Sequence, residues 1–220
     1  MNFKNGIAMK NLDRNAYLTC TPEVEAIIEN MKREMRRATP MTEAEVEAAM
    51  AATPIRTFKK GALLLKEGQF ATVSYYVFKG CIREYYLKDG EEISSEFYTE
   101  GDSLSSDVSK NQRVPAKHFW ECVEDTTVSV FSHEAEKALF IRFPRLESLC
   151  RKNGEEEFGK FRERMAFFAA SSPEERYLNL LKTRPDLLDR VPQYQLASYI
   201  GVKPESLSRI RGRLRSLACA

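Results

Sequence analysis

Residues 193–217, QYQLASYIGVKPESLSRIRGRLRSL, leave few options for their fold. Leu196, Ala197 and Ile200 fall on one helical stripe and Leu207, Ile210 and Leu214 on another, with Val202 between them and Gly201 interrupting the run. Apolar residues three and four apart mark the buried face of a helix, so the spacing predicts two short helices rather than one long one. Ala197 is small enough for the second helix to cross closely, and Gly201, four positions on, tolerates the positive φ that the turn requires. Pro204 then falls in the first turn of the second helix, where its missing N–H is no loss. The pattern predicts a helix-turn-helix.

The rest of the 220-residue chain has a different texture. From Ile55 to Ser132 short β-rich segments are punctuated by Gly61, Gly68, Gly80 and Gly101, and Asp89-Gly90 between CIREYYL and EEISSEFY is the signature of a tight hairpin. This rhythm predicts an antiparallel β-roll or jelly roll. The flanks read as helical. One helix is expected over Pro22–Arg37, and a second up to Ala52, where Thr42 and Glu45 form a capping box and Thr53-Pro54 stops it. Glu134–Arg142 and Pro144 to about Ala170 follow, and Ser171 or Ser172 with Pro173 opens another helix that Arg184-Pro185 closes. The predicted class is α+β. Its expected division is a helical extension over 1–40, a β-roll sensor over 41–143, a dimerisation helix over 144–170 and a helix-turn-helix domain over 171–220, without a β-hairpin wing after the second helix.

A helix over 144–170 would be about 40 Å long, more than a small barrel can cover. Leu146, Leu149, Cys150, Asn153, Phe161, Met165 and Phe168 lie mostly three or four apart along it. We expect Leu146, Leu149, Asn153, Phe161 and Met165 to form a seam between two copies, with the polar Asn153 fixing register.

Composition narrows the functional classes. With 34 basic and 32 acidic side chains the chain is nearly neutral, but the segment from Val191 onward holds five basic residues and one acid. No apolar run approaches the roughly 18–20 residues of a membrane span and no export signal is visible, so a cytoplasmic location without membrane contact is expected. Cys20, Cys81, Cys122, Cys150 and Cys219 are scattered without a CxxC pair, and His118 and His133 sit in no metal-binding spacing. Nucleophile-elbow, P-loop and dinucleotide motifs are absent from the sequence as well. Neither an enzyme nor a bound cofactor or metal is expected.

The polar face of the second helix carries the chemistry. With Leu207, Ile210 and Leu214 inward, Glu205, Ser208, Arg209 and Gly212 face out, flanked by Lys203, Arg211, Arg213 and Arg215. This is the electrostatic footprint of a helix entering the major groove of double-stranded DNA. Arg209 suits the two acceptors of guanine and Glu205 a cytosine amino group, while Ser208 and Lys203 suit phosphates. Tyr194 and Gln195 are candidates for fixing the DNA backbone.

A β-rich barrel, a long helix and a C-terminal helix-turn-helix, in that order, resemble the Crp/Fnr family of transcription regulators over roughly residues 41–220. KGALLLKEGQFATVSYYVFKGCIREYYLKDGEE is similar to the family's β-roll opening and GVKPESLSRIRGRL to its recognition helix. The resemblance implies a homodimer on a palindromic operator, with Glu205 and Arg209 on base edges and half-sites about 34–36 Å apart. It also implies a contact with RNA polymerase, for which no patch is legible. Where other members carry an Arg at the start of the recognition helix this chain has Pro204, so the preference at that base is expected to differ.

In the family's cyclic-nucleotide-binding members the roll carries a Gly-Glu pair and an Arg-Ser pair. Here GDSLSSDVSKNQRVPAKHFWECVED places Ser105-Ser106 and Ala116, Lys117 and His118 at those points. A buried cyclic phosphate needs a fixed cationic fork, so an unknown small-molecule effector other than cAMP is expected, with Ser105, Ser106, Arg113, Lys117 and His118 as its candidate contacts. Two rival readings remain at this stage: a cupin-like metalloenzyme, which would require a metal at the barrel, and a ligand-binding protein that signals through protein partners.

Overall fold

The computed structural model describes residues 26, 28, 29, 32, 33, 41–105 and 114–218. The expected helix Pro22–Arg37 falls largely outside them, although the five of its residues that are described are helical. Helix α1 (Glu43–Ala52) begins with the capping box read from the sequence: Glu45 N donates to Thr42 Oγ1 at 3.4 Å, and Glu45 Oε2 accepts from Thr42 N at 2.7 Å.

Among the described residues eight strands follow: β1 (Ile55–Phe58), β2 (Leu63–Leu65), β3 (Val73–Lys79), β4 (Ile82–Lys88), β5 (Glu91–Tyr98), β6 (Ser103–Leu104), β7 (Phe119–Cys122) and β8 (Thr126–Ser132). They pair antiparallel into two four-stranded sheets, ordered β1-β8-β3-β6 and β2-β7-β4-β5. Neighbours in space are mostly far apart in sequence, as a jelly roll requires. The exception is the β4–β5 hairpin, where Lys88 faces Glu91 across Asp89 and Gly90, both at positive φ. That is the two-residue turn whose twist matches the strands. Between the sheets Phe58, Tyr75 and Trp120 pack edge to face, with centroids 6.5 and 6.0 Å apart, in a core completed by Val77, Ile82, Leu104 and Val128.

One irregularity in the hairpin matters later. Glu84 faces Glu96 while the next residue, Tyr85, faces Ser94, so Ser95 is an extra residue in β5. Such a bulge re-aims side chains. Ser95 Oγ stays with Glu84 Oε1 at 2.8 Å, whereas Glu96 is turned away to accept from Tyr199 Oη at 3.1 Å.

Seven helices are bounded among the described residues, the remaining six being α2 (His133–Arg142), α3 (Pro144–Ala170), α4 (Pro173–Thr183), α5 (Leu187–Arg190), α6 (Gln193–Tyr199) and α7 (Pro204–Ala218). Ser132 caps α2, and Ser172 with Glu175 forms the capping box of α4. A second core of Leu180, Leu187, Val191, Leu196, Ala197, Ile200, Leu207 and Ile210 gathers α4 to α7, and it takes in Cys81, Phe97 and Val123 from the β-roll. The helical head is therefore docked on the outer face of the sheet that contains β5. A smaller core of Ala49, Leu139 and Leu146 ties α1 and α2 to the start of α3. No helix among the described residues is long and apolar enough to cross a membrane.

Candidate nucleic-acid interface

The turn between α6 and α7 is closed by the backbone. Gly201 N donates to Ser198 O at 3.0 Å and Val202 N to Ala197 O at 2.9 Å, with Gly201 at φ +75°. Ala197 is fully buried, as close crossing of two helices demands, and Leu207 and Ile210 hold α7 against it. The opposite face of α7 is left to solvent.

On that face Lys203, Glu205, Ser208 and Arg209 are exposed, and among the described residues none of the four side chains has an ion pair or hydrogen bond. An exposed arginine with no intramolecular partner keeps its full donor fork for an external acceptor. Arg211 and Arg213 are placed differently. Arg211 Nη1 donates to Gln193 Oε1, and Arg213 Nη2 pairs with Glu174 Oε2 at 2.7 Å, so both lie against neighbouring helices on the flanks of the exposed face. Tyr194 is 57% exposed beside this face, but Gln195 is 6% exposed and turned into the core. Its amide reaches Tyr194 Oη at 3.2 Å, which takes it out of reach of a DNA backbone.

The candidate effector residues do not come together as one site among the described residues. Ser106 and Arg113 lie outside those residues. Ser105 Oγ, just past β6, accepts from Ser74 Oγ at 3.2 Å, and Lys117 is exposed. His118 is half-buried between the rings of Trp120 and Tyr86, with Nε2 3.8 Å from Glu84 Oε2. Glu84 is fixed there by Trp120 Nε1 at 2.9 Å and Ser95 Oγ at 2.8 Å. This part of the roll thus presents a carboxylate.

Helix α3 explains itself only in part. Leu146 is 4% exposed and Leu149 half-buried, both taken up by α1 and α2 within the chain. From Cys150 to Ala170 every residue is exposed, including Phe158 at 61%, Phe161, Met165 and Phe168. Gly154, Phe158, Phe161, Met165 and Phe168 recur at intervals of four, three, four and three, the heptad spacing of a helix seam. Phe158 is a member of this row that the expected seam lacks, and Asn153 lies about 100° around the helix from the row's centre at 3.6 residues per turn. The spacing itself was the available signal.

The head is anchored to the roll by polar contacts that no sequence motif announced. Ser198 Oγ accepts from Ser94 N at 2.9 Å and donates to Glu92 O at 3.1 Å, which covers the free edge of β5. Arg184 Nη2 donates to Phe97 O and Thr99 Oγ1 at 3.2 and 2.9 Å. Arg190 bridges Glu100 and Glu124, with contacts of 2.8 and 2.5 Å. Arg83, 1% exposed beneath the head, is matched by Ser94 Oγ at 2.8 Å and Glu92 Oε2 at 2.5 Å. Desolvation pushes the Cys81 thiol in the shared core up to about 12, which leaves it inert as a nucleophile at neutral pH.

A β-roll of two four-stranded sheets, a long helix and a docked helix-turn-helix head define the fold of the Crp/Fnr regulators, and this chain has that fold. Among solved structures it is similar to the c-di-GMP responsive global regulator CLP of Xanthomonas campestris, with 16% identity over 80% of this chain and 93% of that one and a TM-score of 0.62. FixK2 of Bradyrhizobium japonicum is similar at 20% identity over 76% and 86%, with a TM-score of 0.59. A CooA mutant of Carboxydothermus hydrogenoformans aligns at 15% identity over 77% and 79%, with a TM-score of 0.58. No protein-family model and no curated protein sequence matches the chain. At these identities the likeness is one of fold.

Proposed function

We propose that the chain is a homodimeric, sequence-specific DNA-binding transcription regulator that responds to a small molecule other than a cyclic nucleotide. The observation that carries this reading is the outer face of α7, where Glu205, Ser208 and Arg209 stand exposed and uncommitted on a helix braced from behind by Leu207 and Ile210. Arg209 reads guanine, Glu205 accepts from a cytosine amino group, and Lys203 and Ser208 hold phosphates. Arg211 and Arg213, on the flanks, add to the positive field that draws the backbone in.

Dimerisation is supported by the exposed Phe158, Phe161, Met165 and Phe168 stripe on α3, since contiguous apolar surface of this kind marks an interaction site. A two-fold seam sets two reading heads on one face and calls for a palindromic operator with half-sites about 34–36 Å apart. The exclusion of cyclic nucleotides is supported by Glu84 at the roll's inner wall and by the exposure of Lys117, since a fixed carboxylate repels a cyclic phosphate. A chain with this fold and no catalytic constellation in its sequence acts by binding. A contact with RNA polymerase belongs to the same reading.

Selection of bound duplexes from a random DNA pool tests it, run at stated salt with Arg209→Ala beside the unaltered protein. The expected result is a palindrome whose specificity at one base pair of each half-site collapses in the variant, a loss of about 1–3 kcal/mol per half-site. Enrichment of no sequence, or enrichment that Arg209→Ala leaves unchanged, would overturn the assignment of α7 as the reading helix.

A further inference from the structure

Where α3 runs on to α4, these two helices, β5 and the end of α6 line a wide-open hollow of about 600 Å³. Ile93 of β5, Phe161, Met165 and Phe168 of α3, Leu180 of α4 and Ile200 line it. Its volume and apolar walls are those of a small-molecule site.

The polar groups on these walls are unequal. Two of the three arginines are committed to backbone: Arg176 donates to Ile200 O at 2.9 Å and Ser171 O at 3.1 Å, and Arg184 donates to Phe97 O. Arg164 is not. Its guanidinium is about half exposed and reaches Glu96 only at 3.4 Å, while Glu96 already accepts from Tyr199 Oη and the Phe97 amide, both at 3.1 Å. Burial raises the Glu96 pKa, and at 3.4 Å from a half-exposed guanidinium its ion pair with Arg164 is a loose one.

We infer that this cavity binds an amphipathic organic anion, a carboxylate on an apolar body, with the body between Ile93, Phe161, Phe168 and Leu180 and the head on Arg164. Taking Arg164 from Glu96 breaks the ion pair between α3 and β5, next to the hydrogen bond by which Glu96 holds Tyr199 of α6. Phe161, Met165 and Phe168 belong to the α3 seam as well as to these walls, so in a dimer the partner helix borders the site, while Arg164 lies about 80° around α3 from the seam's centre at 3.6 residues per turn. The site deepens the regulator reading by naming the class of effector and rests on that reading for its consequence, but binding itself is testable without DNA.

Calorimetric titration of the full-length protein with decanoate, below its micelle concentration, is the experiment, with decyltrimethylammonium as the cationic counterpart. Saturable binding of decanoate is expected, one per chain, and at least about tenfold tighter than the cation. Arg164→Gln, on an exposed helix face, should weaken decanoate about tenfold and leave the cation unaffected. Ile93→Trp fills the cavity from a wall residue that is 41% exposed and should abolish both. Absence of saturable decanoate binding, equal affinity for anion and cation, or decanoate binding untouched by Arg164→Gln overturns the inference. Palindrome enrichment alongside such a failure would leave the regulator reading intact and remove only this site.

Discussion

Gly201 joins the recognition turn to the long helix. A Cβ placed on it would stand 2.9 Å from Arg176 Nη1 and 3.1 Å from Phe168 Cζ, in a backbone at φ +75°. Arg176 lies over the Phe168 ring at 4.0 Å and donates to Ile200 O, so the clash would fall on the clasp between α3, α4 and the turn. Gly201→Ala should cost about 1–2 kcal/mol for the left-handed backbone alone, and more for the displaced guanidinium. The expected outcome is a lower thermal midpoint with DNA enrichment lost and the mass in solution unchanged. Glu45 makes a second prediction at this scale. Arg145 donates to its carboxylate through Nε and Nη2, both at 2.6 Å, and with the Thr42 amide holds its pKa near 2, well below the ordinary 4.5. The folded chain therefore binds this proton less readily than the unfolded one, and the pair's contribution is complete above pH 4.5 and is lost as pH falls toward 2. Unfolding midpoints measured across that window should fall more steeply for the unaltered protein than for Glu45→Gln.

At the scale of elements, α3 is the helix whose apolar row is left exposed. Phe158 is the most exposed aromatic residue of its heptad row and Asn153 stands off that row, so the two should separate by experiment. Phe158→Glu places a charge in an apolar seam and should yield monomer by analytical ultracentrifugation at micromolar concentration, whereas Asn153→Ala should leave a dimer. A dimer that survives Phe158→Glu would move the interface elsewhere. The difference between these two residues also shows what sequence can carry. The capping box at Thr42, the Asp89-Gly90 turn and the Gly201 turn are decided within four residues of chain, and each is where the spacing put it, while of Ser171 and Ser172 it is Ser172 that caps α4. Leu146 shares a periodicity with the seam, yet α1, about a hundred residues away in the chain, and the preceding α2 bury it first. The Ser95 bulge that turns Glu96 toward Tyr199 leaves no local mark at all, and neither does the seat of Ser198 on the edge of β5. These contacts depend on which surfaces meet after the roll has closed.

For the whole molecule the consequence is that the β-roll and the helix-turn-helix head share a core. Phe97, Cys81 and Val123 of the roll are buried by Leu180, Leu187, Val191 and Leu196 of the head, and Arg184 and Arg190 fasten the rim. Burying a Phe or Leu side chain contributes about 1.5–3 kcal/mol, which is enough to make the two parts unfold together as long as the rim holds water out. Arg190 is the sharper of the two fasteners because its guanidinium holds both Glu100 and Glu124; removing it leaves the half-buried Glu124 without its ion pair, while the exposed Glu100 keeps only the Gly80 amide. Hydrogen bonds to charged groups of this kind contribute about 1.5–3 kcal/mol, less what partial exposure screens. The unaltered protein should therefore melt in one calorimetric transition, with the Ser94 amide protected from hydrogen exchange by Ser198. Arg184→Ala with Arg190→Ala should split that transition in two, expose the Ser94 amide and leave the α3 dimer intact. If the paired substitution lowers a single transition without splitting it, the apolar contact around Phe97 alone couples roll to head, and any effector must act by prising that contact rather than by releasing the arginines.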